Sequence, residues 1–125
     1  MGLLKWILEF FSTNGKKGTV DYNARKMRKK YPMTKGGYFG VAGENKRVIY
    51  SNNQYADSKK FYNRMGKGGT EKPLSNAHGI KRIMKDGGVV SYREKTSTKD
   101  SPAVDFGKMK GKVKNQRVHF IKKEK

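Results

Sequence analysis

The C-terminal segment QRVHFIK places a histidine among cations in a pattern that alternates between apolar and polar residues. In an extended strand this alternation puts Val118 and Phe120 on one side and His119 on the other. The flanking cations Arg117 and Lys122 are expected to lower the pKa of the imidazole. Cleavage of a phosphodiester needs a proton acceptor, a proton donor and fixed positive charge at the phosphate. His119 is therefore the first candidate for a general acid or base.

Four further residues complete the candidate catalytic set. Arg93 is suited to binding a phosphate with its planar guanidinium group. His78 precedes a predicted strand and is the candidate for a second proton-transfer group; alternatively it is an ordinary surface-loop histidine. Thr98 and Ser101 belong to a hydroxyl-rich loop that can position a phosphate, although such loops before a proline are also common turns.

Three consecutive strands between residues 85 and 122 must position these side chains. Alternation predicts one apolar face, made of Val90, Tyr92, Val104, Phe106, Val118 and Phe120. The opposite face then carries Ser91, Arg93, Asp105, Arg117 and His119. We interpret this polar face as the candidate site, with a merely solvated sheet surface as the alternative.

The elements before these strands complete an α+β pattern. KRVIYS at Lys46–Ser51 predicts a strand, and Asn53–Met65 predicts a helix with Asn52 or Asn53 as its N-cap and Gly66 as its stop. The segment 67–76 is predicted as a loop, a strand follows at residues 80–85, and Asp-Gly at 86–87 indicates a hairpin. The expected fold is one main helix packed on a four- to five-stranded antiparallel sheet, with one or two N-terminal helices.

Two regions are expected along the chain. Residues 1–35 are predicted as a basic helical N-terminal extension and residues 36–125 as a compact nucleic-acid-binding or ribonuclease-like domain. The apolar run Met1–Phe11 is too short to span a bilayer and lacks the features of a signal peptide. Three interpretations are open for this run: docking on the domain, weak contact with an anionic membrane surface, or contact with a partner protein.

A second N-terminal segment is predicted to be helical. It runs from Val20 to Tyr31 and ends before Pro32. Its cations Arg25, Arg28 and Lys29 are three and four residues apart and therefore share a face. That face is either a nucleic-acid contact or a solvated helix surface.

The charge of the chain indicates the class of its partner more clearly than it indicates a reaction. The 125 residues contain 30 Lys and Arg against 10 Asp and Glu, a formal net charge of +20. A polyanion is the expected partner, and nucleic acid, above all RNA, is the leading candidate. Arg117 and Lys122 join the helical cations as predicted nucleic-acid-binding residues.

Composition and missing motifs exclude several kinds of metal, catalytic and nucleotide-binding site. The chain has no cysteine, so disulfides and thiolate metal sites are excluded, and its two histidines alone cannot form a zinc site. GxSxG and HExxH motifs are absent, and the glycines of GGYFGVAG lack the spacing of a nucleotide-binding loop. We expect no metal and no cofactor.

A longer succession of motifs carries a family resemblance. GGYFGVAGENKRVIYS, a helix ending in MGKGG, KDGGVVSYRE, TSTKDSPAVDF and QRVHFIK follow one another over residues 36–122. This succession resembles the C-terminal toxin modules of bacterial polymorphic toxin systems. It is similar to the barnase, EndoU, colicin and RelE group of ribonuclease folds.

The resemblance implies metal-independent cleavage of RNA by attack of a ribose 2′-hydroxyl, with a histidine as general acid or base. It further implies action in the cytoplasm, secretion or delivery into another cell, and an acidic immunity protein as partner. The alternative is a non-enzymatic basic nucleic-acid-binding protein of phage or mobile-element type. A third option is a membrane-surface binder that acts through Met1–Phe11 and the nearby cations.

Overall fold

The alternating C-terminal strands form the centre of a seven-stranded mixed sheet. The computed structural model of the chain describes residues 16–75 and 78–124. Its elements are α1 (Val20–Lys26), β1 (Val41–Gly43), β2 (Lys46–Ser51), α2 (Gln54–Met65), β3 (Thr70–Pro73), β4 (Ile80–Ile83), β5 (Val89–Arg93), β6 (Ala103–Gly107) and β7 (Gln116–Lys122). The strands lie in the order β1-β2-β7-β6-β5-β4-β3.

The predicted fold, one main helix on a four- to five-stranded antiparallel sheet, is wrong in strand number and in strand direction. The last strand, β7, runs parallel to β2, with Val48 paired to His119. This pairing arises because the chain leaves β2 through α2 and enters the sheet again at its far edge with β3. The place beside β2 is then filled by β7 at the end of the chain.

Two edge strands were also absent from the prediction. β3 reads TEKP within the segment expected to be a loop, and β1 reads VAG. Every residue of both strands is exposed, so neither strand has the apolar alternation that identifies a half-buried strand. Backbone pairing with β4 and β2 forms them instead.

The predicted strand Lys46–Ser51 and the main helix are confirmed, the helix beginning one residue later than predicted. Asn53 caps α2 by accepting a hydrogen bond from the backbone N–H of Ala56 at 3.2 Å, and Gly66 ends the helix. The N-terminal helix is shorter than predicted, because α1 ends at Lys26 and the following residues form turns.

We expect Asn53→Ala to destabilise the protein by about 1 kcal/mol, the usual cost of losing such an N-cap. Asn52→Ala is the matched control, because the neighbouring Asn52 is exposed and Asn53 provides the cap. Urea unfolding of both variants measures the difference. Equal midpoints for the two variants would contradict the assignment of the cap.

The core lies between the helices and one face of the sheet. The six apolar strand residues predicted to share a face are all buried in it, which confirms that part of the pattern. Phe61 of α2 is fully buried at its centre, with ring centroids of Phe39 and Phe120 at 5.0 Å and 5.4 Å. Val20 and Tyr31 belong to the same core, so part of the predicted N-terminal extension packs with the sheet.

The other side of the sheet is the polar face, defined here by Lys46, Ser91, Arg93, Asp105, Arg117 and His119. On β5, β6 and β7 the residues of this side pair in two rows across the strands. One row joins Arg93, Ala103 and His119, and the other joins Ser91, Asp105 and Arg117. Both described helices pack on the apolar side. This arrangement leaves the side chains of the polar face to meet one another or a ligand.

Candidate functional site

The centre of the polar face is a buried hydrogen bond between a histidine and a serine. His119 Nδ1 and Ser101 Oγ are 2.9 Å apart, and the two residues are only 4% and 2% exposed. Ser101 belongs to the loop between β5 and β6, where Thr96 Oγ1 donates to its carbonyl at 2.7 Å. The backbone N–H of Phe120 donates to the carbonyl of Pro102 at 2.9 Å. Backbone and side-chain contacts therefore fix the serine against the imidazole.

The surroundings of His119 favour its neutral form. Burial is the largest cause that lowers its pKa from 6.5, followed by the positive charges of Lys46 and Arg117; Asp105 opposes them. A neutral imidazole has one ring N–H and one nitrogen with an unshared electron pair. An unprotonated ring nitrogen of this kind is what a general base requires.

The lowered pKa makes stability depend on pH in a defined direction. As the pH falls below 6.5 the unfolded chain binds the histidine proton before the folded chain does. The contribution of His119 is therefore fully present above pH 6.5 and decreases as the pH falls towards the folded-state pKa. We expect urea midpoints measured between about pH 5 and 8 to fall on the acid side for the wild type and to fall less for His119→Asn. Identical curves for the two proteins would contradict the assignment.

Two arginines flank one carboxylate beside the histidine. Asp105 Oδ1 accepts from Arg117 Nε at 2.8 Å, and Asp105 Oδ2 lies 4.0 Å from Arg93 Nε. Arg93 Nε is buried and has no hydrogen-bond partner among the described residues. A buried N–H without an acceptor is costly and uncommon in folded proteins. This part of the polar face thus has positive charge and unused donor capacity.

A third cation, Lys46, belongs to the site, although it is not among the residues predicted from the sequence. Its Nζ donates to Thr98 Oγ1 at 3.3 Å, which joins β2 to the loop that carries Ser101. Lys46 comes close to His119 because β2 and β7 run parallel and adjacent. The alternation of KRVIYS puts Lys46 on the same side as Val48, but the sequence contains no signal that pairs this strand with the last one.

The structure brings together five of the predicted residues: His119, Ser101, Thr98, Arg93 and Arg117. The other five lie elsewhere. His78 is exposed and borders a depression with Lys59 of α2 and Tyr92, on the helix side of the sheet. Lys122 alternates to the side of Phe120, and Arg25, Arg28 and Lys29 lie in and just after α1. His78 and His119 therefore have the sheet between them.

Two other features bear on the class of site. Within residues 16–75 and 78–124, no group of three His, Cys, Asp or Glu side chains is arranged to hold a metal ion. No helix in the same described residues is long and apolar enough to cross a membrane. The run Met1–Phe11, with its three interpretations, lies outside the described part of the chain.

Comparison with known proteins gives no relative from which a function can be transferred. No protein-family model matches the chain, and no curated protein and no solved structure is significantly similar to it.

Proposed function

We propose that the protein is a metal-independent endoribonuclease that cleaves RNA on the polar face, with His119 as the general base. The observation that supports this most is the environment of His119. It is a buried neutral imidazole, bonded to Ser101, with the cations Lys46 and Arg117 close enough to lower its pKa. A base that stays unprotonated at neutral pH beside fixed positive charge suits attack on a phosphodiester.

In this proposal His119 Nδ1–H donates to Ser101 Oγ, so that Nε2 keeps its electron pair. Nε2 takes the proton of a ribose 2′-hydroxyl as the 2′-oxygen attacks the adjacent phosphorus. The bond from phosphorus to the 5′-oxygen breaks, and the leaving oxygen takes a proton from water. The hydroxide that remains takes the proton from Nε2, which returns His119 to its neutral form. The products are a 2′,3′-cyclic phosphate and a 5′-hydroxyl end.

The cations have the complementary role of stabilising the phosphate. Attack adds negative charge to the phosphate oxygens in the transition state, and fixed cations bind this state more strongly than the ground state. Arg93 and Arg117 supply planar donors, and Lys46 supplies a point charge. Ser101 and Thr98 act through His119 and Lys46, since their hydroxyl groups bond to these two residues.

Parallel incubations of the purified protein with total RNA and with a defined tRNA, with and without EDTA, test the proposal. We expect discrete fragments that end in a 2′,3′-cyclic phosphate, which is identified because alkaline phosphatase removes this terminal phosphate only after acid has opened the ring. Intact RNA that shifts on a native gel would refute cleavage of these substrates. Cleavage that EDTA abolishes would refute the metal-independent chemistry.

The second candidate is a non-enzymatic nucleic-acid-binding protein. It is supported by the cations of residues 25–30, which form a basic surface around Met27 on the helix side, away from His119. Such a surface binds phosphates without base readout. In this case RNA shifts on the gel, no fragments form, and charge removal within residues 25–30 weakens binding more than charge removal on the polar face.

The ribonuclease proposal extends to biological context through the resemblance of residues 36–122 to polymorphic toxin modules. A toxin of this kind acts on cytoplasmic RNA, in its own or in another cell. Charge complementarity to a chain of formal charge +20 then favours an acidic inhibitory partner that covers the polar face. Co-expression with a candidate acidic neighbour gene, scored by relief of growth inhibition, tests this extension.

A further inference from the structure

Asp105 occupies the centre of the cationic part of the polar face. It pairs with Ser91 on β5 and with Arg117 on β7, so its carboxylate lies between the two arginine-bearing strands. One carboxylate oxygen bonds to Arg117 Nε at 2.8 Å, and the other lies 4.0 Å from Arg93 Nε. The carboxylate thus forms a hydrogen bond with Arg117 and a longer ion pair with Arg93, in both cases on the Nε side of the guanidinium group.

Contact through Nε leaves the outer ends of the guanidinium groups to other ligands. An arginine has five N–H donors, and only one of them is on Nε. The side chains of Arg93 and Arg117 are 38% and 51% exposed, whereas that of Asp105 is 21% exposed. The carboxylate therefore lies lower in the face, and the two arginines extend above it.

We infer that Asp105 is a positioning residue for phosphate: it holds Arg93 and Arg117 so that the terminal nitrogens of both bind one phosphodiester of an RNA strand. This inference deepens the proposed function by taking RNA as the ligand of the same face. It does not require that the RNA be cleaved. Preorganised donors bind an anion better than mobile ones because less side-chain entropy is lost on binding.

The expected change in RNA affinity of Asp105→Asn is opposite in sign to the change expected from its net charge alone. Asp105→Asn removes a negative charge and makes the chain more cationic, which by itself tightens binding to a polyanion. If Asp105 positions the arginines, the same substitution weakens binding despite the added charge. Glu71→Gln is the matched control, because Glu71 also pairs with an arginine, Arg82 at 3.2 Å, but on the far edge of the sheet.

The test uses a fluorescent oligoribonucleotide with 2′-O-methyl groups, which cannot undergo attack by its 2′-oxygen. We expect Asp105→Asn to bind the probe about tenfold more weakly than Glu71→Gln does. The reason is that Arg93 and Arg117, no longer positioned by the carboxylate, lose strong charge-assisted contacts with the phosphate. The slope of log affinity against log salt should also decrease by about one, the change expected for one lost phosphate contact. Asp105→Glu keeps the charge and should recover most of the affinity.

Thermal unfolding of each variant shows whether the fold is retained. Binding by Asp105→Asn that equals or exceeds that of Glu71→Gln would overturn the inference, as would failure of Asp105→Glu to recover affinity or of the wild type to bind the probe. Since the probe cannot be cleaved, the result is independent of the ribonuclease proposal. If the variants behave as expected but the wild type leaves natural RNA intact, the polar face is a binding site and only the cleavage proposal fails.

Discussion

Replacing His119 with asparagine is expected to reduce RNA cleavage by about 10²- to 10⁴-fold, the range typical for loss of a general acid or base. Asparagine offers no group that accepts a proton near neutral pH, so the 2′-hydroxyl is no longer activated. Its side-chain amide is close in size to part of the imidazole and retains a polar group opposite Ser101. We expect the loss to appear in kcat, because His119 takes part in the reaction more than in phosphate binding.

The measurement is the single-turnover rate of fragment formation from a defined RNA in EDTA. Affinity for the 2′-O-methyl probe is the internal control, and we expect it to change by less than about threefold, since a neutral imidazole contributes no charge to the phosphate contact. Cleavage by His119→Asn at the wild-type rate would refute the role of His119. Loss of cleavage in His78→Asn but not in His119→Asn would move the site to the helix side of the sheet.

The pH profile of cleavage gives an independent check on the same residue. A general base acts only when unprotonated, so activity should rise with pH through the pKa of His119. Burial, Lys46 and Arg117 lower that pKa below 6.5, and Asp105 opposes them. The acid limb is therefore expected below pH 6.5, and Asp105→Asn should shift it to a still lower pH.

The polar face shows which parts of the site are encoded locally in the sequence. Alternation within single strands is enough to put Arg93, Asp105 and His119 on one side, because the period of a strand fixes which residues share a face. The proximity of Ser101 to His119 depends on the loop before β6, which the sequence marks only as rich in hydroxyl groups. The approach of Lys46 depends on the parallel pairing of β2 with β7, which involves residues about 70 positions apart.

The fold was predictable to a similar extent. The capped helix α2 and the central strands have strong local signals: an N-cap, a stop at glycine and apolar alternation. The edge strands β1 and β3 have none, since their residues are exposed and lack apolar alternation, and they join the sheet by pairing with β2 and β4. A prediction that joins consecutive strands only as antiparallel hairpins does not include the parallel pairing of the last strand, β7, with β2.

The second large effect is expected for Arg93→Met, which we predict to reduce kcat for cleavage by about 10²-fold, the lower end of the range for removal of one donor that stabilises a transition-state anion. Methionine keeps an unbranched stem of similar size, so the packing of the half-buried side chain is largely preserved. The guanidinium group, with its unpartnered buried Nε, is lost.

Arg64→Met is the matched control for this change, because Arg64 is an exposed arginine in the last turn of α2, on the opposite side of the sheet. It removes the same charge and tests the effect of net charge alone, which we expect to be less than about threefold on kcat. Single-turnover rates at saturating protein compare the two variants, and a titration of the 2′-O-methyl probe gives their affinities. Equal losses in kcat for both would mean that Arg93 acts only through overall charge. A much larger loss for Arg93→Met locates transition-state stabilisation beside Asp105 and His119, where the proposed attack on phosphorus takes place.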